Sequence, residues 1–484
     1  MTKSNKTLLV AGSVCLSIFI WSIYTPEAFR AFFAEFTTLT LDFFGHYYLY
    51  LGFGIVGLLI LLALLPQGKI YLGDEPPAYN RYAWISMLFS TGMGPGLMLR
   101  AVQEPVYYYL HPPLELGYDP VSYALAYTFF HWGLTPWAFY SLFGLVIAYF
   151  VYVRQKRLLP SAVLVENEPA AIGVDTIIII CTIIGVMSSV GLGSRQLLEG
   201  INYVSGSNWP VSGAIGLVLF IVLLSVFSAR SGLGKSIKNL STLNITLTLA
   251  LLIYVIFNSH LPDYFRHLAE GIGIYVKDFL PMSLNLGSHQ VDRPFLLNWT
   301  YFYWAFWLAW VPFTGVFIAR ISKGRSIREY VAGTLLIPSA GTFFWFTAFG
   351  QKAINSGLSP EHLAQKYESI YSAIFVFFND MPGGLITTSL SLLLLFTFLI
   401  TSVDSAIFVL SMFSDDGSED PDQHHRLVWG LALGGLTAAL LWVGQETLLK
   451  ASSQLLISFA LPFSFLYLWF IIIFLRSLFK RHAK

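Results

Sequence analysis

Two Trp-rich segments hold the residues of this chain best suited to chemistry. The first is Phe130-His131-Trp132-Gly133-Leu134-Thr135-Pro136-Trp137-Ala138-Phe139-Tyr140, and the second is WTYFYWAFWLAW over Trp299 to Trp310. Both lie inside long apolar stretches, although Trp in membrane proteins concentrates at the membrane–water interface. Aromatic faces in mid-span attract a quaternary ammonium without a hydrogen bond, because the ring quadrupole meets the positive methyl shell. On a helix Trp137 and Tyr140 share a face at i,i+3, and so do Trp307 and Trp310. Two facing helices carrying such pairs would close a box. The same residues also read as plain core aromatics, and spacing alone leaves the two readings even.

Two backbone-rich motifs accompany them. Ser90-Thr91-Gly92-Met93-Gly94-Pro95-Gly96 cannot hold a straight helix, since Gly costs about 1 kcal/mol and Pro about 3 kcal/mol relative to Ala in a helix interior. Unwound backbone at membrane depth survives where it lines a cavity or is buried in protein. Broken helices of this kind form solute and ion sites, and the alternative is tight packing through small residues. Phe398-Leu399-Ile400-Thr401-Ser402-Val403-Asp404-Ser405 places adjacent hydroxyls within an apolar run. Oxygen ligands suit a hard cation such as sodium, whereas Thr401 and Ser402 can also bond back to their own helix. Asp404 is an ionisable group inside a span.

The elements that must position these residues are membrane helices. Of 484 residues, 56% are hydrophobic and 11% charged, with a net charge of +1 that gives no pointer to nucleic acid. Cys15 and Cys181 sit in apolar runs, which argues against a disulfide framework. Stretches able to cross about 30 Å of hydrocarbon fall near 7–25, 44–66, 82–110, 120–152, 171–200, 210–229, 236–258, 298–320, 329–350, 384–413, 426–445 and 450–477. The chain thus reads as an all-α membrane protein of twelve transmembrane helices, the first one uncleaved despite Lys3 and Lys6 before it. Most of the 28 Lys and Arg residues fall in one alternate set of connections, among them Arg154, Arg157, Lys323, Arg325 and Arg328. The positive-inside rule then places both termini in the cytoplasm. Leu261 to Ser283 is mixed polar and apolar, and reads as an amphipathic helix on the outer surface. His424-His425 reads as a solvated pair in an acidic loop, and no metal-ligand spacing suggests an enzyme.

On these residues the sequence resembles the betaine/choline/carnitine transporter family over nearly its whole length. The resemblance rests on Gly92-Met93-Gly94-Pro95-Gly96-Leu97-Met98 with Gln103-Glu104-Pro105, on Phe130 to Tyr140, and on Gly191-Leu192-Gly193 with Gln196. It rests also on Trp299 to Trp310 with Pro312-Phe313 and Phe317 to Arg325, and on Thr401-Ser402-Val403-Asp404-Ser405. It implies a LeuT-like inverted repeat of five plus five helices behind two additional N-terminal helices. The parts would be 1–81 (two extra helices), 82–258 (first repeat), 259–297 (external amphipathic connection), 298–477 (second repeat) and 478–484 (a short cytoplasmic tail). It implies a bacterial-type inner-membrane secondary transporter importing a zwitterionic quaternary-ammonium solute such as glycine betaine, without a cofactor, with a sodium ion, among membrane lipid, and as a homotrimer. By position Trp132, Trp137, Tyr140 and Trp307 would form the box, Trp310 a second contact toward the cytoplasm, and Phe302 the pathway, with Gly94 and Gly96 at the solute. Sodium would bind between Ser90, Met93, Phe398, Thr401 and Ser402. A sodium-independent exchanger, or uptake of a sulfonium or anionic osmolyte or of choline, are the rival readings.

The chain departs from that pattern at Pro95, Arg100 and Arg195. Proline removes a backbone N–H from the unwound segment. An arginine in mid-span needs a partner: for Arg100 this is either Glu104 at i,i+4 or the carboxylate of a solute. Arg195 has Glu199 at i,i+4, or stands in for a cation. Members that take choline can carry an acidic residue at the place of Gly96, and glycine there favours a zwitterion.

Overall fold

The computed structural model describes residues 2–92, 94–230 and 234–480, excepting the side chains of 89–92, 228–230 and 234–239. Helices dominate, and the described residues contain a single isolated β-bridge, Tyr71 to Ser326. Helices α1 (Lys3–Tyr24) and α2 (Pro26–Leu64) come first. The sequence predicts a loop before residue 44, yet α2 starts at Pro26, which supplies a preset φ at the first turn. It then runs 39 residues, about 58 Å at 1.5 Å per residue. The extra turns hold because Phe29 and Phe33 face inward and meet Trp21 of α1 at 5.3 and 5.9 Å, while Glu27, Arg30 and Glu35 stay outside the core.

Two spans are broken, and both breaks lie at the motifs. The first comprises α3 (Arg81–Gly92), α4 (Pro95–Arg100) and α5 (Gln103–Leu110). The glycines and Pro95 cause the interruption the sequence predicts. The second comprises α6 (Pro120–Trp132) and α7 (Leu134–Ala148), parted at Gly133. Here the sequence predicts one continuous span. The break arises because Gly133 takes φ −97° and ψ −125° where a Cβ would lie 2.5 Å from the Phe129 carbonyl oxygen. Pro136 in the following turn also has no N–H to continue the ladder. The freed groups are satisfied locally: the Leu134 N–H donates to the Tyr275 hydroxyl (3.1 Å), and Thr342 Oγ1 donates to the Trp132 carbonyl (3.1 Å).

The remaining long helices are α8 (Glu168–Ser205), α9 (Ser212–Arg230), α10 (Gly234–Phe257) and α11 (Leu261–Leu284). After them come α12 (Tyr301–Ile321), α13 (Ile337–Phe346), α14 (Gly384–Ser414), α15 (Gln423–Gly444) and α16 (Leu448–Lys480). Helix α8 has clear end signals, an Asn167 side chain capping the Ala170 N–H and a left-handed Gly206 after its last residue. Helix α11 is the expected amphipathic element. It buries Tyr264, Leu268, Gly271 and Tyr275 on one face: Gly271 lets Phe129 of α6 approach, while Tyr275 meets Phe343 and Tyr264 donates to the Phe344 carbonyl. Among the described residues nine helical segments are long and apolar enough to cross a membrane. One of these, Gln423–Lys480, contains both α15 and α16, while the broken α3–α5 segment and the shorter Ser212–Phe227 fall outside the nine.

Helices α7 and α12 pack together more extensively than any other pair, and this contact faces Tyr140 toward Trp307. Gly144 and Gly315 make the approach possible: a Cβ on Gly315 would lie 2.8 Å from Phe143 Cδ1 and 3.1 Å from the Gly144 nitrogen. Overpacking of this kind costs about 1–3 kcal/mol. Gly315→Val is therefore expected to lower the Tm of the purified protein by several degrees. An unchanged Tm would mean that the two helices do not depend on this contact.

Cys15 and Cys181 are free and buried, as expected. His425 is buried rather than solvated. Its Nδ1 meets Ser414 Oγ at 2.7 Å and its Nε2 meets Ser4 Oγ at 3.3 Å, so the loop before α15 folds over the start of α1.

Candidate functional site

Where the two breaks meet α12 and α14, the interior holds a cavity of about 130 Å³. Its walls are near-perpendicular rings. Trp132 and Trp307 stand 5.0 Å apart at 77°, Tyr140 and Trp307 6.2 Å apart at 87°, and Phe306 and Trp307 4.9 Å apart at 82°. Trp310, Phe313 and Phe317 continue the lining toward the Arg320 end of α12. Gly94, Pro95 and Gly96 supply the wall from the first break, and a Cβ on Gly96 would touch Trp132 at 3.4 Å. Phe398, Thr401, Ser402 and Ser405 supply the wall from α14.

The break at Gly133 explains how the rings are held. Helix α6 ends at Trp132, which leaves the last carbonyls of that helix without intrahelical partners. The Trp307 indole N–H donates to one of them, the His131 carbonyl, at 3.0 Å. The Trp132 indole N–H donates to Glu104 Oε2 at 3.1 Å, and the Tyr303 hydroxyl donates to the same oxygen. Tyr303 in turn stacks on Trp307 at 6.0 Å and 17°. Behind Glu104, the His131 ring bridges the Tyr108 hydroxyl (2.8 Å) and Thr300 Oγ1 (3.1 Å). The indole N–H groups of Trp132 and Trp307 are thus consumed by the protein, and their ring faces remain for a guest, whereas the buried Trp310 Nε1 has no acceptor among the described residues.

Most of the residues singled out in the sequence converge. Trp132, Tyr140, Trp307, Trp310, Gly94, Gly96, Phe398, Thr401 and Ser402 all line the cavity. Trp137 does not line it; its ring stands edge-on behind Tyr140 at 5.8 Å. Phe302 lines a smaller neighbouring cavity together with Arg100. Met93 and the Ser90 side chain lie outside the described residues. Arg100 forms no ion pair with Glu104 and instead donates to Gln103 Oε1 at 2.7 Å. Glu104 turns its carboxyl toward the two rings, so the i,i+4 partner is already engaged. Arg195 does pair with Glu199, at 2.9 Å. Asp404 is buried beside the cavity without lining it. Sequence reasoning missed Tyr303, Phe306, Phe313 and the role of Glu104. The first three stand in or just after the second aromatic run, and Glu104 one turn beyond Arg100.

The possible cation ligands on α14 are oxygens only. Thr401 Oγ1 donates within its own helix, to the Phe398 and Thr397 carbonyls at 3.0 and 3.1 Å, and accepts from Asn244 Nδ2 at 3.3 Å. Among the described residues no cluster of His, Cys, Asp and Glu could hold a metal. Hydroxyls and backbone carbonyls are hard oxygen donors, which suit a hard cation rather than a soft transition metal.

An aromatic-walled cavity set between broken helices of a multi-pass membrane protein defines a carrier of small solutes. Residues 6–483 match the model of the BCCT, betaine/carnitine/choline family transporter, and the chain belongs to that family. It is similar to the glycine betaine transporter OpuD of Bacillus subtilis, at 35% identity over 99% of this chain and 95% of that one. It is also similar to the ectoine/hydroxyectoine transporter of Virgibacillus pantothenticus, at 34% identity over 100% and 98%. The betaine/ectoine transporter LcoP of Corynebacterium glutamicum shares 31% identity over 98% and 78%. The protein is a multi-pass membrane transporter, not an enzyme.

Proposed function

We propose that this protein imports a zwitterionic compatible solute, glycine betaine first, coupled to sodium and by alternating access. The observation that carries the reading is the set of near-perpendicular rings in which the Trp132 and Trp307 N–H groups are both taken by the protein, leaving their faces to the cavity. A trimethylammonium group needs faces, not acceptors, and each desolvated cation–π contact contributes roughly 0.5–2 kcal/mol. A primary ammonium would forfeit its hydrogen bonds in the same space. The similarity to betaine and ectoine transporters supports a solute that carries a carboxylate beside a diffuse positive charge.

The chain in this reading has twelve spans, a LeuT-like five-plus-five repeat, and both termini in the cytoplasm. The cavity then leads from the box toward the cytoplasm past Phe317 and Ser405, while Phe302, Phe306 and Trp132 close the opposite side. Trp137 buttresses Tyr140 and completes the box when the repeats rock. Sodium sits between the first break and Phe398, Thr401 and Ser402, and shifts the population only by its differential affinity for the two states.

Uptake of radiolabelled glycine betaine into proteoliposomes, with sodium or potassium outside, tests this reading. Saturable uptake driven by a sodium gradient is expected. Uptake that ignores sodium would reject the coupling, and no uptake would reject the solute. The double variant Thr401→Ala, Ser402→Ala is expected to raise the half-saturating sodium concentration about ten-fold, the worth of roughly one charge-assisted contact. An unchanged sodium requirement would place the ion elsewhere.

A further inference from the structure

A second cavity, of about 30 Å³, adjoins the first on its far side. The two share Pro95, Gly96, Trp132, Ser189 and Phe306, so they meet across the start of α4 and two aromatic rings. Arg100, Phe302 and Tyr303 line the second one. Arg100 is 7% exposed. Its Nη1 donates to Gln103 Oε1 and its guanidinium lies 5.2 Å from the centre of the Trp299 ring. Among the described residues no carboxylate oxygen lies within 4.0 Å of it. Glu104 spends its carboxyl on Trp132 and Tyr303, and acts on Arg100 only through space.

Two other shielded arginines are neutralised at contact distance: Arg325 by Glu329 at 2.7 Å and Arg195 by Glu199 at 2.9 Å. A buried charge without such a partner is costly. A neutral amide and a ring face offset part of that cost. What is left over is a preformed, desolvated fork of donors beside a cavity that abuts the box.

We propose that Arg100 is an anion contact on the outer side of the aromatic box, which receives the carboxylate of the solute on its way in and selects against purely cationic solutes. The proposal rests on the box reading above. At about 30 Å³ the cavity admits a water and not a solute, so the contact forms when this side opens. The guanidinium then offers charge-assisted and bidentate hydrogen bonds, which a hydroxyl in place of the carboxylate cannot answer. The carboxylate binds ahead of the ammonium, and the head group passes Phe306 into the box.

The test compares glycine betaine with choline, which share the trimethylammonium group and differ in carboxylate against hydroxymethyl. In proteoliposomes of the full chain, Arg100→Gln is expected to lower the betaine-to-choline ratio of kcat/KM about ten-fold or more, through the KM for betaine. Arg100→Lys keeps the charge but not the fork, and should retain part of the ratio; it carries the comparison if Arg100→Gln does not reach the membrane. Equal losses for both solutes would show a structural role and overturn the proposal. A chloride requirement for both solutes that disappears in Arg100→Gln would make the occupant an inorganic anion, and would also overturn it. Wild-type protein that transports neither solute would reject the box reading and this proposal together. Selective wild-type transport unaltered by the substitution would reject this proposal alone.

Discussion

Replacing Trp307 with alanine is expected to raise the KM for glycine betaine at least about a hundredfold, a loss of roughly 2.7 kcal/mol. Trp307 meets four neighbouring rings: Trp132 at 5.0 Å, Phe306 at 4.9 Å, Tyr140 at 6.2 Å and Tyr303 at 6.0 Å. Removing it deletes a cation–π face worth roughly 0.5–2 kcal/mol. It also removes the edge against which Trp132 and Tyr140 are set, so the remaining faces lose their orientation. Truncating a buried Trp costs about 3–5 kcal/mol of stability, and uptake must therefore be normalised to protein in the membrane. Trp307→Phe separates the two effects. It keeps a face and loses the hydrogen bond to the His131 carbonyl, and a smaller rise in KM, about ten-fold, is expected. Normal KM in Trp307→Ala would remove the box from the mechanism.

The break before Pro95 was legible because Gly and Pro oppose a helix whatever surrounds them. The break at Gly133 was not, because a lone glycine in an apolar run is equally compatible with a continuous span. What opens the helix there is tertiary: Phe343 and the Tyr275 hydroxyl occupy and satisfy the gap. The same limit applies to the site. Trp132, Tyr140 and Trp307 stood out by type and spacing, yet periodicity could not say that Trp137 stands behind Tyr140 or that Phe302 lines the second cavity. Helix phase fixes which residues share a stripe, and not which neighbour covers that stripe. Arg100 shows the limit from the other side. A spacing of i,i+4 made Glu104 its natural partner, but two ring donors that lie far away in sequence, or on the next helix, compete for that carboxyl and win. The long reach of α2 was hidden for a related reason, since its charged residues Glu27, Arg30, Glu35 and Asp42 are all exposed.

Glu104 is where this competition becomes measurable. It is 0% exposed, one oxygen takes both the Trp132 indole and the Tyr303 hydroxyl, and its other oxygen has no hydrogen-bond partner. Glu104→Ala would strand two buried donors at about 1–3 kcal/mol each. These are the donors that fix Trp132 of the box and Tyr303, which stacks on Trp307. The expected result is a hundredfold or greater fall in kcat/KM together with a lower Tm. Glu104→Gln keeps an acceptor of nearly the same shape, and should hold the Tm near wild type while costing about ten-fold in KM, because its amide also brings two donors into a site built around an acceptor. The pair of variants distinguishes positioning from simple stability. Were Glu104 only a fold element, Gln and Ala would lower Tm and leave the KM of the surviving protein unchanged. Because Glu104 touches the rings and not the cavity, it is a positioning residue. A KM that tracks the acceptor rather than the Tm is the signature of that role.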